Sequence, residues 1–392
     1  MRPPSPPFRW RWRNPSFRAL AYQLLTLLVL LAAGAYLLHN TLENLRARGV
    51  QSGFDFILQP AGFAIGESIL PFDAADSYGR AYLVGLTNTL RVALVGIALA
   101  TVIGTLVGIG RLSHNLLVRG ACASYVEVMR SVPVLLQLLM WYFALTEFLP
   151  SIEGAVNPVA GFFLSKNGLQ FPLPVWHAGH LGTLAGLALG ALAARAWARR
   201  ARQHREATGR AWPVALPSLL LMAGLAAAGW LAGGSPAGLD VPTRTEVSVI
   251  GGGAVTPEYL TILLGLSFYT ASYIAEIVRA GIQSVPRGQS EASAAIGLSR
   301  GKALRLVLLP QALRVVIPPL TSQYLNLTKA SSLGVAVGYP DLVSISATSL
   351  NQTGRAIECI ALMMACFLAM SLLTSAFMST YNRRAKFRGG HD

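Results

Sequence analysis

Eight runs of roughly twenty mostly apolar residues set the terms for how this chain can fold. They lie at about 19–38, 83–110, 121–149, 179–197, 214–233, 257–279, 312–334 and 356–379. Twenty helical residues rise about 30 Å, the thickness of a bilayer's hydrocarbon core. Lipid offers the backbone no hydrogen bonds, so such runs cross as helices. The chain is therefore read as an all-α integral membrane protein with about 8 transmembrane helices. Gly, Pro and polar residues interrupt the sixth and seventh runs. The first follows the basic, Pro-rich MRPPSPPFRWRWRNPSFR. It is too long for a signal-peptide core and lacks a clear cleavage context, so it reads as a retained helix.

Composition supports that reading. Hydrophobic residues make up 53% of the chain and charged residues only 12%. A soluble chain carries about twice that charged fraction. The net charge of +15 sits in short clusters between apolar runs, not along one amphipathic face. That pattern argues against nucleic acid as a partner and for the lipid bilayer. With the N-terminus inside, the inside connections hold 23 Lys and Arg against six outside. The positive-inside bias then makes both termini cytoplasmic in a multi-pass inner-membrane protein. Cys122, Cys359 and Cys366 lie in or beside apolar runs and imply neither a disulfide framework nor a metal site.

The chain divides accordingly. Residues 1–18 form a basic cytoplasmic N-terminus, and 19–82 an extra helix followed by an outside loop with a short lid or interfacial helix. Residues 83–149 form the first half of a core, and 150–256 an insertion with a helix pair around the basic stretch 195–210. The insertion's end, 234–256, is rich in Gly, Pro and Thr and reads as irregular. Residues 257–382 form the second half of the core, and 383–392 a cytoplasmic tail.

The strongest local pattern is GQSEASAAIGLSRGKALRLVLLP, Gly288 to Pro310. Ser284 and Pro286 suit a helix start. A short Ala-rich helix runs to Ile296, and Gly297 suits the left-handed residue that ends it. Ser299 caps a second helix through Leu309, and Pro310 marks the next break. The product is an inside helix–turn–helix whose small side chains let another protein approach closely.

This segment resembles the coupling loop of ABC importer permeases, with the pattern Glu-Ala-Ala, three residues, Gly, nine residues, Ile, one residue, Leu-Pro. Glu291, Ala292, Gly297, Leu309 and Pro310 match it, while Ser293 replaces the second Ala and Val307 the Ile. The stretches TASYIAEIVRAGIQSVPRGQSEAS and YVEVMRSVPVLLQLLMWYFAL resemble the polar amino acid uptake permeases. LNLTKASSLGVAVGYPDLV and NQTGRAIE resemble their general L-amino acid and glutamate/aspartate branch. The resemblance implies a five-helix type I permease core, extended here by an N-terminal helix and an inserted helix pair. It also implies partners: an ATP-binding subunit, a second homologous permease forming a heterodimer, and a periplasmic amino-acid-binding protein. The coupling residues it implies are Gln289, Glu291, Ala292, Gly297, Leu309 and Pro310.

Other polar residues in the spans need physical reasons. Glu127 and Arg130 stand i, i+3 and are placed to pair, as are Glu276 and Arg279 near the coupling loop. Gln137 is a further intramembrane polar group. Gln323, Asn326, Thr328, Lys329, Ser331 and Ser332 are the candidates for a substrate pathway. Gln323, Asn326 and Ala330 share one helix face. No acidic residue stands at Gln323 or Ala330, which by the same resemblance favours neutral or acidic polar L-amino acids as cargo. The chain has no Gly-x-x-x-x-Gly-Lys-Ser/Thr phosphate loop. It is therefore expected to be no enzyme and to bind no cofactor itself, with ATP and Mg on the partner ATPase. The alternative is an ion-gradient-driven secondary transporter, which needs acidic or polar ion sites.

Overall fold

The computed structural model describes residues 15–47, 53–177, 179–235, 237–245 and 248–386. Most of the basic N-terminus and the end of the tail therefore lie outside the described residues. Helix α1 spans Pro15–Ala47, longer at both ends than expected. A 3-10 turn, Asp55–Leu58, follows it. Then come α2 (Tyr78–Gly110), α3 (Leu116–Ser131) and α4 (Val134–Glu147). Strands β1 (Val156–Val159), β2 (Phe162–Ser165), β3 (Gly168–Phe171) and β4 (Leu173–Pro174) precede the helix pair α5 (Gly179–Thr208) and α6 (Ala215–Ala232). Strands β5 (Leu239–Asp240), β6 (Thr243–Arg244), β7 (Val249–Ile250) and β8 (Gly253–Val255) lead into α7 (Pro257–Gln283). The chain continues through α8 (Arg287–Ala295), α9 (Arg300–Ala303), α10 (Leu309–Ala330), α11 (Leu342–Thr353) and α12 (Ala356–Lys386). Seven helices are long and apolar enough to cross a membrane, or up to 8 with the bent pair α3–α4 taken as one span.

Two expectations change here. The run 121–149 is not one straight helix, because α3 and α4 meet at 107°. Pro133 drives the preceding Val132 out of the helical region, to φ −94° and ψ 130°. Gln137 then donates from Nε2 to the carbonyls of Met129 (2.8 Å) and Val132 (2.9 Å) at the break. The insertion is also more ordered than expected. Its strands form an antiparallel sheet in the order β1-β2-β3-β8, with two further two-stranded pairs beside the turns.

The chain forms two compact units. The first comprises 1–91 and 340–392. Phe56, Tyr78, Tyr82, Leu342, Ile345 and Cys359 are buried together in it. Gly85 lets α2 touch α11, since a Cβ there would stand 3.1 Å from the Leu342 Cα. Asp341 caps α11 by accepting from the Ser344 amide at 2.8 Å, and Gly354 ends it at φ +68°. Next to that end, Arg355 pairs with Asp55 and donates to the Gly53 carbonyl at 2.7 Å. The guanidinium holds the Asp55 carboxyl below its ordinary value, mainly through its hydrogen bonds to that carboxylate.

The second unit is 92–339. Ile262, Leu266, Ile274, Leu327 and Tyr339 are buried in its core. Apolar burial alone does not drive helices together in lipid, so close packing has to. Gly104 and Gly108 supply it, four residues apart on α2. A Cβ at Gly104 would lie 2.7 Å from Ile274 Cβ, and one at Gly108 would lie 2.7 Å from the Ala275 carbonyl oxygen. Gly265 opens α7 in the same way to Leu138 of α4.

Candidate coupling arm and translocation face

The segment between α7 and α10 forms an exposed arm. Ser284 ends α7 rather than starting a helix, with its amide bonded to the Ala280 carbonyl at 2.9 Å. Pro286 is the N-cap of α8, with φ −61° and ψ 140°. Gly297 ends α8 at φ +76°, the left-handed conformation its sequence predicts. Its amide bonds the Ala294 carbonyl at 3.0 Å, and the Leu298 amide bonds the Ser293 carbonyl at 3.1 Å. These two bonds satisfy carbonyls that the helix end would otherwise orphan. No atom lies within 4 Å of a Cβ built at Gly297, so backbone conformation alone selects glycine there.

The second limb departs from expectation. Ser299 holds the N-cap position of α9 but makes no side-chain capping bond. Pro310 causes no break. The helix widens into a π-turn over Leu304–Leu308, and the Leu309 amide reaches five residues back to Leu304. Widening makes room for the ring and the missing amide of Pro310, which falls in the first turn of α10. Helical backbone thus runs from Arg300 through Ala330.

The arm's surface is open. Glu291, Ala292, Ala294, Ala295 and Ile296 are exposed, Ile296 to 75%. Ser293, one of the two residues that depart from the family pattern, is buried and donates to the Gln289 carbonyl at 2.6 Å. Gln289 also accepts a 3.1 Å hydrogen bond from Gln311, which ties the first limb to the start of α10. Sequence reasoning missed Gln311, because two glutamines 22 positions apart carry no spacing signal.

At the arm's root, Glu276 lies between two guanidiniums, those of Arg279 and Arg111. The expected pair with Arg279 is formed, and Arg111 adds a tie to the end of α2. Arg279 also donates to Gln283 at 2.5 Å. Gly281 lets the limbs meet, since a Cβ there would collide with the Val316 side chain of α10. The expected pair of Glu127 with Arg130 is absent. Arg130 instead stands over the Tyr273 ring, 5.0 Å from its centre, where the ring's electron-rich face attracts the cation. Glu127, Arg130, Arg111 and Tyr273 line a cleft of about 430 Å³.

The candidates at 323–332 separate into two groups. Thr328, Ser331 and Ser332 turn their hydroxyls onto the carbonyls of Tyr324 (2.9 Å), Thr328 (2.7 Å) and Lys329 (2.7 Å). Thr328 and Ser331 are buried. These three therefore serve the helix's own backbone. Asn326 and Lys329 are exposed and Gln323 half-exposed. With Ser322 they make a polar strip on α10, flanking the buried Ala312, Val316 and Leu327. Tyr324 joins α10 to α2 through a 2.9 Å hydrogen bond between its hydroxyl and that of Thr101.

Membrane-length helices with an exposed helical arm between two of them define the chain as an integral membrane protein. The chain belongs to the family of amino acid ABC transporter permeases. Residues 212–387, which include the whole arm, match the family model "Binding-protein-dependent transport system inner membrane component". The chain is 44% identical over 377 residues to the general L-amino acid transport system permease protein AapQ of Rhizobium johnstonii, covering 96% of this chain and 94% of the relative. It is 38% identical over 404 residues to the glutamate/glutamine/aspartate/asparagine transport system permease protein BztB of Rhodobacter capsulatus, covering 95% and 94%. It is thus a multi-pass inner-membrane permease component of an amino acid importer, working with a separate ATPase and a substrate-binding protein.

Proposed function

We propose that this chain is one half of a heterodimeric permease that carries polar L-amino acids, neutral or acidic, into the cytoplasm. Its arm seats on the ATP-binding subunit. The single observation that carries this reading is the arm itself. It is exposed, closed by Gly297 at φ +76° and tied across its base by Gln289 and Gln311. The small side chains of Ala292, Ala294 and Ala295 admit a close partner surface, and Ile296 offers an apolar tip. Gln289, Glu291, Ala292, Gly297, Leu309 and Pro310 are the coupling residues. ATP and Mg bind on the partner, which agrees with the missing phosphate loop. Both termini face the cytoplasm, as the lysine and arginine distribution favours.

The polar strip of Gln323, Asn326 and Lys329 borders the path, where amide and ammonium groups meet the cargo's carboxylate and amine. The cargoes in the names of the two relatives, general L-amino acids and glutamate, glutamine, aspartate and asparagine, support this class. ATP closes the ATPase pair, the arms move with it, and the helices switch between outward- and inward-facing states. A difference in binding energy between those states couples ATP to movement. The test is co-expression with a cognate ATP-binding subunit, followed by affinity purification and amino acid uptake. Wild type brings the ATPase down and transports. Glu291→Lys inserts but does not transport. Uptake that survives deletion of the ATPase overturns the reading.

A further inference from the structure

The inserted hairpin, α5 with α6, has features that coupling does not explain. Its two helices pack on each other and make no comparable contact with any other element among the described residues. The seam is built of backbone. A Cβ at Gly182 would stand 2.5 Å from the Gly229 carbonyl oxygen, and one at Gly190 would stand 2.7 Å from the Met222 Cα. Small residues therefore line much of the inner face, where Leu221 and Leu225 sit half-buried at the seam, while Leu184, Leu192, Leu219 and Leu220 are exposed. Their surroundings are lipid.

That apolar surface stops at Arg195. From Arg195 to Arg210 there are six arginines and one acid, Glu206. All six arginines are exposed, and none forms an ion pair among the described residues. Arg195, Arg199 and Arg202 follow at i, i+4 and i+7, so their guanidiniums share one face over about 10 Å of helix. The turn after α5 folds back beside them. Trp212 stacks on Trp197, with ring centres 5.6 Å apart, and on His204 at 4.1 Å. Trp197 donates to the Pro213 carbonyl at 3.1 Å. Amphipathic indoles at the end of an apolar span mark headgroup depth. Unpaired guanidiniums at that depth form bidentate hydrogen bonds with phosphate.

We propose that this end of the hairpin is a docking surface for anionic phospholipid headgroups of the cytoplasmic leaflet. The occupant follows from charge complementarity together with depth. An acidic protein could satisfy the arginines, but it would not use a tryptophan stack placed where the apolar surface ends. The hairpin then anchors the permease laterally in an anionic lipid shell.

The test uses the full chain in detergent, titrated with dioleoyl-phosphatidylglycerol or zwitterionic dioleoyl-phosphatidylcholine, with retained lipid counted by native mass spectrometry. Phosphatidylglycerol should be retained at least fivefold over phosphatidylcholine. The triple variant R195Q/R199Q/R202Q should lower that ratio at least threefold, while R195K/R199K/R202K keeps most of it and controls for folding. The charge-matched R300Q/K302Q/R305Q on the arm should leave the ratio unchanged. Equal retention of the two lipids overturns the proposal. So does an unaltered ratio in the glutamine triple variant, or an equal loss in the arm variant.

Discussion

Gln311 donates a 3.1 Å hydrogen bond to Gln289, and that bond ties the base of the exposed arm. The partners lie on separate limbs, one in α8 and one at the start of α10. Gln311→Leu keeps the volume and removes the donor. A neutral side-chain hydrogen bond contributes about 1 kcal/mol. ATP-driven uptake in proteoliposomes should therefore fall by up to about fivefold, with insertion and ATPase association intact. Wild-type uptake in this variant would show that the joint has no part in coupling.

Gly297 separates conformation from contact. Its Cβ space is empty, so only the φ of +76° constrains the residue. Asparagine tolerates the left-handed region, alanine costs about 1 kcal/mol there, and proline cannot enter it. Uptake should rank glycine, asparagine, alanine, proline, with the last inactive. An active Gly297→Pro protein would contradict the arm's geometry.

At Gly281 the expectation concerns packing. Gly281→Ala drives a methyl into Val316, and overpacking of this kind costs about 1–3 kcal/mol. The melting temperature of the detergent-solubilised chain should drop by several degrees. Val316→Ala should restore much of that loss in the double variant, because the two sites share one contact. Additive losses would mean that α7 and α10 do not meet there in the working protein.

The Arg355–Asp55 pair gives a signed pH dependence. The folded carboxyl lies below its ordinary value of 3.8. Its contribution is present above that value and is lost as pH falls through the lower folded one. Wild type should melt above Asp55→Asn at pH 6. The difference should shrink toward zero in strong acid. A difference that grew on acidification would reverse the assignment.

The fold was legible where lipid forces a pattern. Apolar runs of bilayer length located α2, α5, α6, α7 and α12, and Gly297 was recognisable because few residues accept a positive φ. What was not legible depended on partners distant in sequence. Glu127 and Arg130 have the spacing of an ion pair, but Tyr273 on another helix captures the arginine. Pro310 carries a helix-breaking signal, but a π-turn absorbs it. The hydroxyls at 328–332 look suited to a pathway, yet all three bond carbonyls within their own segment. Intrahelical back-bonding of this kind leaves no trace in composition.

The π-turn also makes the two limbs mechanically unequal. The first limb breaks at Ser284–Pro286, so it can act as a pivot. The second keeps helical backbone from Arg300 to Ala330, through the π-turn and with Pro318 and Pro319 inside it. Leu304 and Asn326 are 22 residues apart, roughly 33 Å along the axis. Under the proposed coupling, a small rotation imposed at the arm would therefore reach Asn326 as a sideways sweep of the polar strip.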